Sequence, residues 1–142
     1  MSEQEKVTLR VRRRFTASAE RVFDAWLDPA KVGTWLFATK TGQIVRVEID
    51  ARVGGSFVIV RREGIDIEHV GTYVEIERPR RLGFTFAVPH FSKETTRVSV
   101  DITPVGTGCE LTLTHEGVLP DWASRTESGW KMILDGLDEA LR

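Results

Sequence analysis

The sequence predicts an α+β fold in which an antiparallel sheet is covered by one long C-terminal helix. Segments of alternating apolar and polar residues recur between residues 7 and 115, and short turns separate most of them. The chain then ends in apolar residues at helical spacing, namely Trp130, Ile133, Leu134, Leu137 and Leu141. Because this helix follows so many strands, its apolar stripe is expected to cover the apolar face of their sheet.

A strand and two short helices are predicted at the start of this fold. Four apolar residues alternate with polar ones, which is typical of a strand with one buried face: Val7, Leu9, Val11 and Phe15 alternate with Thr8, Arg10, Arg12 and Arg14. Ser18 is a favourable N-cap, and Glu20 lies where the helix dipole favours a carboxylate, so a short helix is expected here. Asp28 and Pro29 predict a second helix, since Asp caps helices well and Pro suits the first helical position.

Further strands complete the predicted sheet, which has about six to seven strands in total. The alternation places them at residues 44–49, 57–61, 67–76, 82–86, 98–103 and 110–115. Turn residues separate neighbouring strands, such as Gly54-Gly55, Glu63-Gly64 and Pro79. Strands joined by such short loops favour an antiparallel meander, and the final helix is expected to begin after Pro120.

Composition excludes some classes of function. The chain has 142 residues, a formal net charge of -1 and a pI of about 6.3. Neither the charge nor the pI indicates a surface for nucleic acid or for anionic membrane. The length fits one domain, residues 1–142, which we expect to be ordered from about residue 7 to residue 141.

The cysteine content and the absence of long apolar runs bear on cellular location. Cys109 is the single cysteine, so the chain forms no internal disulfide, which suits a reducing compartment. The first residues lack the apolar core of a signal peptide, and no run approaches the length of a membrane span. We expect a cytoplasmic protein that is a monomer or a weak dimer. The histidine spacing is not that of metal ligands, so neither a metal nor a cofactor is expected.

Residues predicted to face inward are the main candidates for a binding site. Aromatic side chains offer a large apolar area, and the indole N–H of Trp can orient a ligand. The candidate cavity residues are Trp26, Trp35, Phe57, Tyr73, Phe84, Phe86, Leu113, His115, Trp130, Ile133, Leu134 and Leu137. The sequence leaves open whether they enclose a cavity or fill a close-packed core.

His115 is the polar member of this set with the clearest orientation. It lies two residues after Leu113 and four after Leu111, and alternate residues of a strand lie on the same face, so it is expected to point inward. An inward histidine serves either as an acid or base near neutral pH or as a structural residue with satisfied hydrogen bonds. No arrangement of nucleophile and base, phosphate-binding loop or dinucleotide motif is visible, so no catalytic residue is predicted.

Several short motifs, taken in order, resemble one known family. They are residues 18–23 with Trp26, Asp28-Pro29 with Trp35, residues 54–57, residues 71–76 with Leu82 and Phe84, residues 111–117, and Gly129-Trp130 with residues 134–137. The sequence is similar to the heat-shock-protein-90 ATPase activator-like group within the START-like (SRPBCC) superfamily. The resemblance extends from about residue 7 to residue 141. One departure is Trp35-Leu36, where many relatives carry two adjacent tryptophans.

The resemblance implies a helix-grip fold, in which a curved sheet wraps around the C-terminal helix. It also pairs strand one with strand seven, so Arg10, Arg12 and Arg14 would lie beside the polar face that carries Glu110. In the wider superfamily the space between sheet and helix often binds lipids, sterols, polyketides or other apolar molecules. The resemblance therefore implies binding of a small hydrophobic ligand.

Two other functions remain open on the same resemblance. One is a protein-interaction module that acts on heat-shock-protein-90 homologues as a co-chaperone. The other is an enzyme of the polyketide cyclase or aromatase type, which needs polar groups that converge inside the cavity. Tyr73, Glu75 and His115 are the candidates for such groups, although Glu75 is also compatible with a solvated strand carboxylate.

Overall fold

Seven antiparallel strands form one sheet in the computed structural model, which describes residues 5–142. The strands are β1 (Val7–Phe15), β2 (Gln43–Ile49), β3 (Ser56–Glu63), β4 (Ile65–Glu77), β5 (Arg81–Phe86), β6 (Thr96–Val105) and β7 (Gly108–Val118). The helices are α1 (Ala19–Ala25), α2 (Pro29–Val32) and α3 (Ala123–Ala140), and a 3-10 turn (Pro120–Trp122) precedes α3. This element order confirms the predicted helix-grip fold.

The sheet order is β1-β7-β6-β5-β4-β3-β2, so the first and last strands pair. Strands β2 to β7 form a continuous meander, as the short loops predict. Strand β1 lies antiparallel to β7, with Phe15 opposite Cys109 and Val11 opposite Leu113. The polar start of the chain, for which no signal peptide is predicted, lies mainly outside the described residues.

The two short helices begin where the capping residues predict. The Ser18 hydroxyl accepts a hydrogen bond from the Arg21 amide at 3.3 Å, which caps α1. The Asp28 carboxylate accepts one from the Ala30 amide at 2.9 Å, and Pro29 occupies the first position of α2. Both caps satisfy backbone donors that a helix start leaves unpaired.

Helix α3 buries the predicted stripe against the sheet. Trp130, Leu134 and Leu137 are fully buried, whereas Ile133 and Leu141 are half-buried. They belong to, or pack against, the same apolar cluster as Leu111 and Leu113 of β7, so sheet and helix share one core. Within residues 5–142, no helix has the length and apolar character needed to cross a membrane.

The arginines of β1 divide between the two faces of the sheet. Arg14 lies opposite Glu110 and forms an ion pair with it at 3.8 Å, while Arg10 and Arg12 lie opposite threonines. Arg13 instead faces α3 and contacts Asp135 at 2.9 Å and Asp138 at 3.4 Å. The charged face of the final helix is therefore held to β1, which the alternation of the strand alone does not indicate.

One glycine permits the close approach of three strands. A Cβ on Gly71 of β4 would lie 1.9 Å from the carbonyl oxygen of Thr85 and 2.6 Å from the Phe57 ring. Gly71 pairs with Phe57 of β3, and the ring covers the space that a side chain would take. The sheet therefore depends on glycine here for packing rather than for a turn.

Candidate functional site

The space between the sheet and α3 is filled by aromatic rings. Trp26 meets Trp35 edge to face with centroids 4.8 Å apart, and its ring lies 6.5 Å from that of Trp130. A void of about 10 Å³ remains near Trp26, Tyr73 and Phe84. A space of this size holds at most one water molecule, so the middle of the fold offers no room for an organic ligand.

Phe37, which follows α2, supplies one of the filling rings. It adopts a φ of 60°, a left-handed conformation that is uncommon for a non-glycine residue. Its ring stacks on His69 at 4.4 Å and on Phe86 at 5.1 Å. The backbone strain at this residue is offset by the burial of a whole phenyl ring.

A larger pocket of about 170 Å³ lies at one end of the same layer, and we call it the terminal pocket. It forms where β5 ends, β6 begins, β7 ends and α3 begins. Its apolar walls include Phe86, Val88, Phe91, Val118, Leu119 and Trp122. Thr96 and His115 contribute polar groups, and Ser92, Glu94 and Thr126 complete the polar part of the lining.

A hydrogen-bonded chain lies beside this pocket. The indole N–H of Trp130 donates to Nδ1 of His115 at 3.0 Å, so Nδ1 carries no proton. The proton of the neutral ring is then on Nε2, which donates to Oγ1 of Thr96 at 2.7 Å. The Thr96 hydroxyl in turn donates to the carbonyl oxygen of Phe86 at 3.0 Å. Every ring nitrogen of His115 is thus satisfied in its neutral form.

The burial of His115 favours this neutral form. Only 4% of the residue is exposed, and the loss of solvent lowers its pKa from 6.5 to about 4. His69 is buried in the same way, and its pKa also falls to about 4, with Arg61 as a minor cause. Its Nδ1–H donates to the carbonyl oxygen of Ile59 at 3.2 Å. Both histidines are therefore uncharged at neutral pH.

Two exposed aromatic residues stand at the mouth of the terminal pocket. Phe91 is 53% exposed and Trp122 is 40% exposed, and their ring centroids are 6.4 Å apart. The guanidinium of Arg125 lies 5.5 Å from the centroid of the Trp122 ring. Lys6 and Glu94 form an ion pair of 2.6 Å at the same end of the molecule. The mouth thus combines apolar surface with one ion pair and the guanidinium of Arg125.

The candidate cavity residues are divided among several environments. Phe86 and His115 line the terminal pocket. The small interior void is lined in part by Trp26, Phe57, Tyr73 and Phe84. Four others are fully buried in the core, namely Leu113, Trp130, Leu134 and Leu137. Trp35 is buried beside Trp26, and Ile133 is half-buried on α3.

The polar groups proposed for an enzyme lie in different places. Tyr73 lines the small interior void, and its burial raises the pKa of its hydroxyl above the ordinary value. Glu75 lies on the outer face of the sheet, where it accepts a hydrogen bond from Arg81 at 2.7 Å. His115 lines the terminal pocket. The structure therefore does not bring these three residues into one constellation.

Several residues of the terminal pocket were not among the sequence candidates. Phe91 and Trp122 belong to segments without strand or helix periodicity, so the pattern gives them no inward or outward assignment. Thr96 begins β6 just before the alternating residues that predict that strand. One available signal was the presence of large apolar residues, Phe91 and Trp122, in otherwise polar loops.

The sequence of residues 16–142 matches the family described as Activator of Hsp90 ATPase homolog 1-like protein. The chain belongs to this family. The match spans nearly the whole chain and confirms the resemblance carried by the short motifs. No curated protein has a sequence significantly similar to that of this chain.

Solved structures of several bacterial proteins share this fold. A protein from Chromobacterium violaceum is 26% identical with a TM-score of 0.86, over 94% of this chain and 96% of that one. A protein from Rhizobium loti is 25% identical with a TM-score of 0.82, over 98% and 99% of the two chains. An AHSA1-like protein from Aeromonas hydrophila is 21% identical with a TM-score of 0.82, over 95% and 92%. The high TM-scores over nearly full lengths show that these proteins share the fold of this chain.

Proposed function

We propose that this family member binds a small apolar molecule in the terminal pocket. The observation that carries the proposal is a pocket of about 170 Å³ with mainly apolar walls, in a fold whose central layer is otherwise filled. Concave apolar pockets with a few polar groups are the usual form of small-molecule sites. The cavity expected from the superfamily is thereby assigned to one end of the layer rather than to its middle.

The exposed rings at the mouth supply a driving force for such binding. Phe91 and Trp122 leave apolar surface in water, and a bound molecule would cover part of it. Each square ångström of apolar surface removed from water contributes about 25 cal/mol. A ligand that covers about 100 Å² of apolar surface thus gains about 2.5 kcal/mol before the cost of its immobilisation.

A titration of the isotope-labelled protein followed by two-dimensional NMR tests this proposal. The probes are toluene, decanoate, a flavonoid, a sterol and an aromatic polyketide. We expect shifts for the Trp130 indole and for the amides of Thr96 and Gly117, which line or adjoin the pocket. If none of these signals shifts with any of the probes, the proposal is wrong.

A pair of variants on α3 provides the control. Thr126→Trp places a large ring in the pocket lining and should abolish the shifts. Met132→Trp places the same ring on the same helix at a position that is 60% exposed, and it should leave them unchanged. Equal effects of the two substitutions would argue against binding in the terminal pocket.

Contact with a chaperone is a second candidate, which membership of the Activator of Hsp90 ATPase homolog 1-like family favours. The measurement is the ATPase rate of a purified Hsp90 homologue with and without this protein, together with co-sedimentation of the two. Stimulation that survives Thr126→Trp would support a protein interface separate from the pocket.

We also propose a cytoplasmic location, which the free and buried thiol of Cys109 supports.

A further inference from the structure

We infer that the terminal pocket takes a neutral molecule with a single aromatic ring and a hydrogen-bond donor, such as a phenol. This inference rests on the proposed function, because it names the ligand class of the same pocket. Three features of the described residues carry it: the volume of the pocket, the hydrogen-bond capacity of Thr96, and the charge of the lining.

The volume of the pocket selects ligands with one ring. A cavity of about 150 Å³ lined by apolar residues is known to accept benzene, and drug-sized ligands need about 300 Å³ or more. The terminal pocket, at about 170 Å³, lies close to the lower value. Its walls include the rings of Phe86, Phe91 and Trp122, and aromatic rings gain from edge-to-face or offset contact with one another. Sterols, fused polycycles and long acyl chains would not fit wholly inside this space and would extend through its mouth.

The Thr96 hydroxyl offers an acceptor to a ligand that donates a hydrogen bond. It gives its proton to the Phe86 carbonyl oxygen and accepts one from Nε2 of His115. A hydroxyl has one donor and two acceptor lone pairs, so one lone pair on Thr96 is left. Both nitrogens of His115 are already engaged. This pair of residues can therefore accept one hydrogen bond from a ligand, and it has no donor to offer.

The charge of the lining disfavours an anionic ligand. Among residues 5–142, the lining includes one carboxylate, from Glu94, and neither lysine nor arginine. Lys6 approaches this end but already pairs with Glu94 at 2.6 Å, and Arg125 lies against the Trp122 ring outside the lining. A carboxylate buried within the described lining would find no lysine or arginine there to pair with, and it would lose its solvation.

Three molecules of nearly equal shape test the class of ligand. Calorimetric titrations of the full chain compare p-cresol, toluene and p-toluate at pH 7.5, and 2-naphthol and decanoate serve as size controls. We expect p-cresol to bind roughly two- to tenfold more tightly than toluene, which is the gain from one net hydrogen bond. We expect p-toluate, 2-naphthol and decanoate to bind more weakly than toluene. Preference for p-toluate, for decanoate or for 2-naphthol would overturn the inference.

Substitution of Thr96 tests the proposed contact. Thr96→Val removes the acceptor and should reduce p-cresol affinity to that of toluene while toluene binding is retained. Thr96→Ser keeps the hydroxyl and should preserve the preference. Thr96→Val also removes the hydrogen bonds of Thr96 to His115 and to the Phe86 carbonyl oxygen, so this variant could fail to fold. In that case, the ligand series with the unmodified chain and the affinity of Thr96→Ser for p-cresol test the inference.

The same experiment separates the two proposals. If none of the five probes nor the wider NMR panel binds at the terminal pocket, the proposed function itself fails. If larger or anionic probes bind there and the phenol does not, the proposed function stands and the ligand class is wrong. A p-cresol preference that Thr96→Val leaves intact would also overturn the assigned role of Thr96.

Discussion

Trp130 of α3 and His115 of β7 are joined by a hydrogen bond of 3.0 Å inside the core. Both residues are at most 4% exposed, so the bond forms in a region that water scarcely reaches. It holds the long helix to the sheet by a directional contact, whereas the neighbouring contacts are apolar. His115 also lines the terminal pocket, so a single side chain bounds the pocket and fixes the helix.

Removal of the Trp130 indole N–H should lower the free energy of unfolding by more than the loss of ring volume alone does. Trp130→Phe leaves Nδ1 of His115 buried without a donor, which costs about 1–3 kcal/mol. Trp26→Phe is the matched control, because the buried Trp26 N–H has no hydrogen-bond partner within residues 5–142. Urea unfolding at pH 7.5 should show the larger loss of unfolding free energy for Trp130→Phe. Equal losses would mean that the hydrogen bond contributes nothing net.

The two buried histidines predict a loss of stability in mild acid. Their pKa values are about 4 in the folded protein, against about 6.5 when exposed, so the unfolded state binds protons first as the pH falls. The free energy of unfolding should therefore be nearly constant above about pH 7.5. Between pH 7.5 and pH 5 it should decrease by about 2 kcal/mol per histidine.

Urea unfolding at half-unit steps of pH measures this decrease. The series stops at pH 5, because carboxylates with lowered pKa values, such as Asp24 beside Arg78, begin to bind protons at lower pH. His69→Phe keeps an aromatic ring against Phe37 and should remove about half of the pH dependence. A variant with the full dependence of the parent would contradict the assignment to His69.

Leu137→Ala should destabilise the protein by about 2–5 kcal/mol, which is the usual range for truncation of a buried leucine. The side chain is fully buried between α3 and the sheet. Met132→Ala on the exposed side of the same helix should change the free energy of unfolding by less than about 0.5 kcal/mol. Thermal and urea denaturation of both variants give the comparison, and a loss below about half a kcal/mol for Leu137→Ala would contradict its burial.

Two glycine substitutions should have opposite effects on the stability of the protein. Gly129→Ala lies inside α3, and its added Cβ would have no atom within 4 Å among residues 5–142 beyond its own helix backbone and chain neighbours, so it should stabilise the protein by about 0.5–1 kcal/mol. Gly71→Ala would place its Cβ 1.9 Å from the Thr85 carbonyl oxygen and should cost about 3 kcal/mol. Melting temperatures that move in the same direction would refute this comparison.

The strands and helices are predictable because the burial of their residues follows the two-residue repeat of a strand and the 3.6-residue repeat of a helix. His115 shares the inward parity of Leu111 and Leu113, and all three are buried as predicted. Ser18 and Asp28 cap their helices because capping depends on local chemistry alone. The pairing of β1 with β7 came from the family resemblance, since alternation within a strand does not reveal its neighbour.

The candidate site is less predictable because it depends on contacts between distant, irregular segments. Phe37 fills part of the central layer from a loop position with a φ of 60°, which no periodic pattern marks. Phe91 and Trp122 meet at the pocket mouth although 31 positions separate their numbers in the chain. Whether inward aromatics enclose a cavity or fill a core depends on such packing, so composition and spacing leave the question open.

The distribution of the tryptophans gives this protein a built-in optical reporter. Of the four indoles in the chain, Trp26, Trp35 and Trp130 are at most 2% exposed, whereas Trp122 is 40% exposed. Emission at long wavelength and quenching by acrylamide therefore come mainly from Trp122, at the pocket mouth. A molecule that covers this ring would blue-shift the spectrum and shield it from the quencher. Unmodified protein at low concentration thus suffices for screening compound libraries by fluorescence.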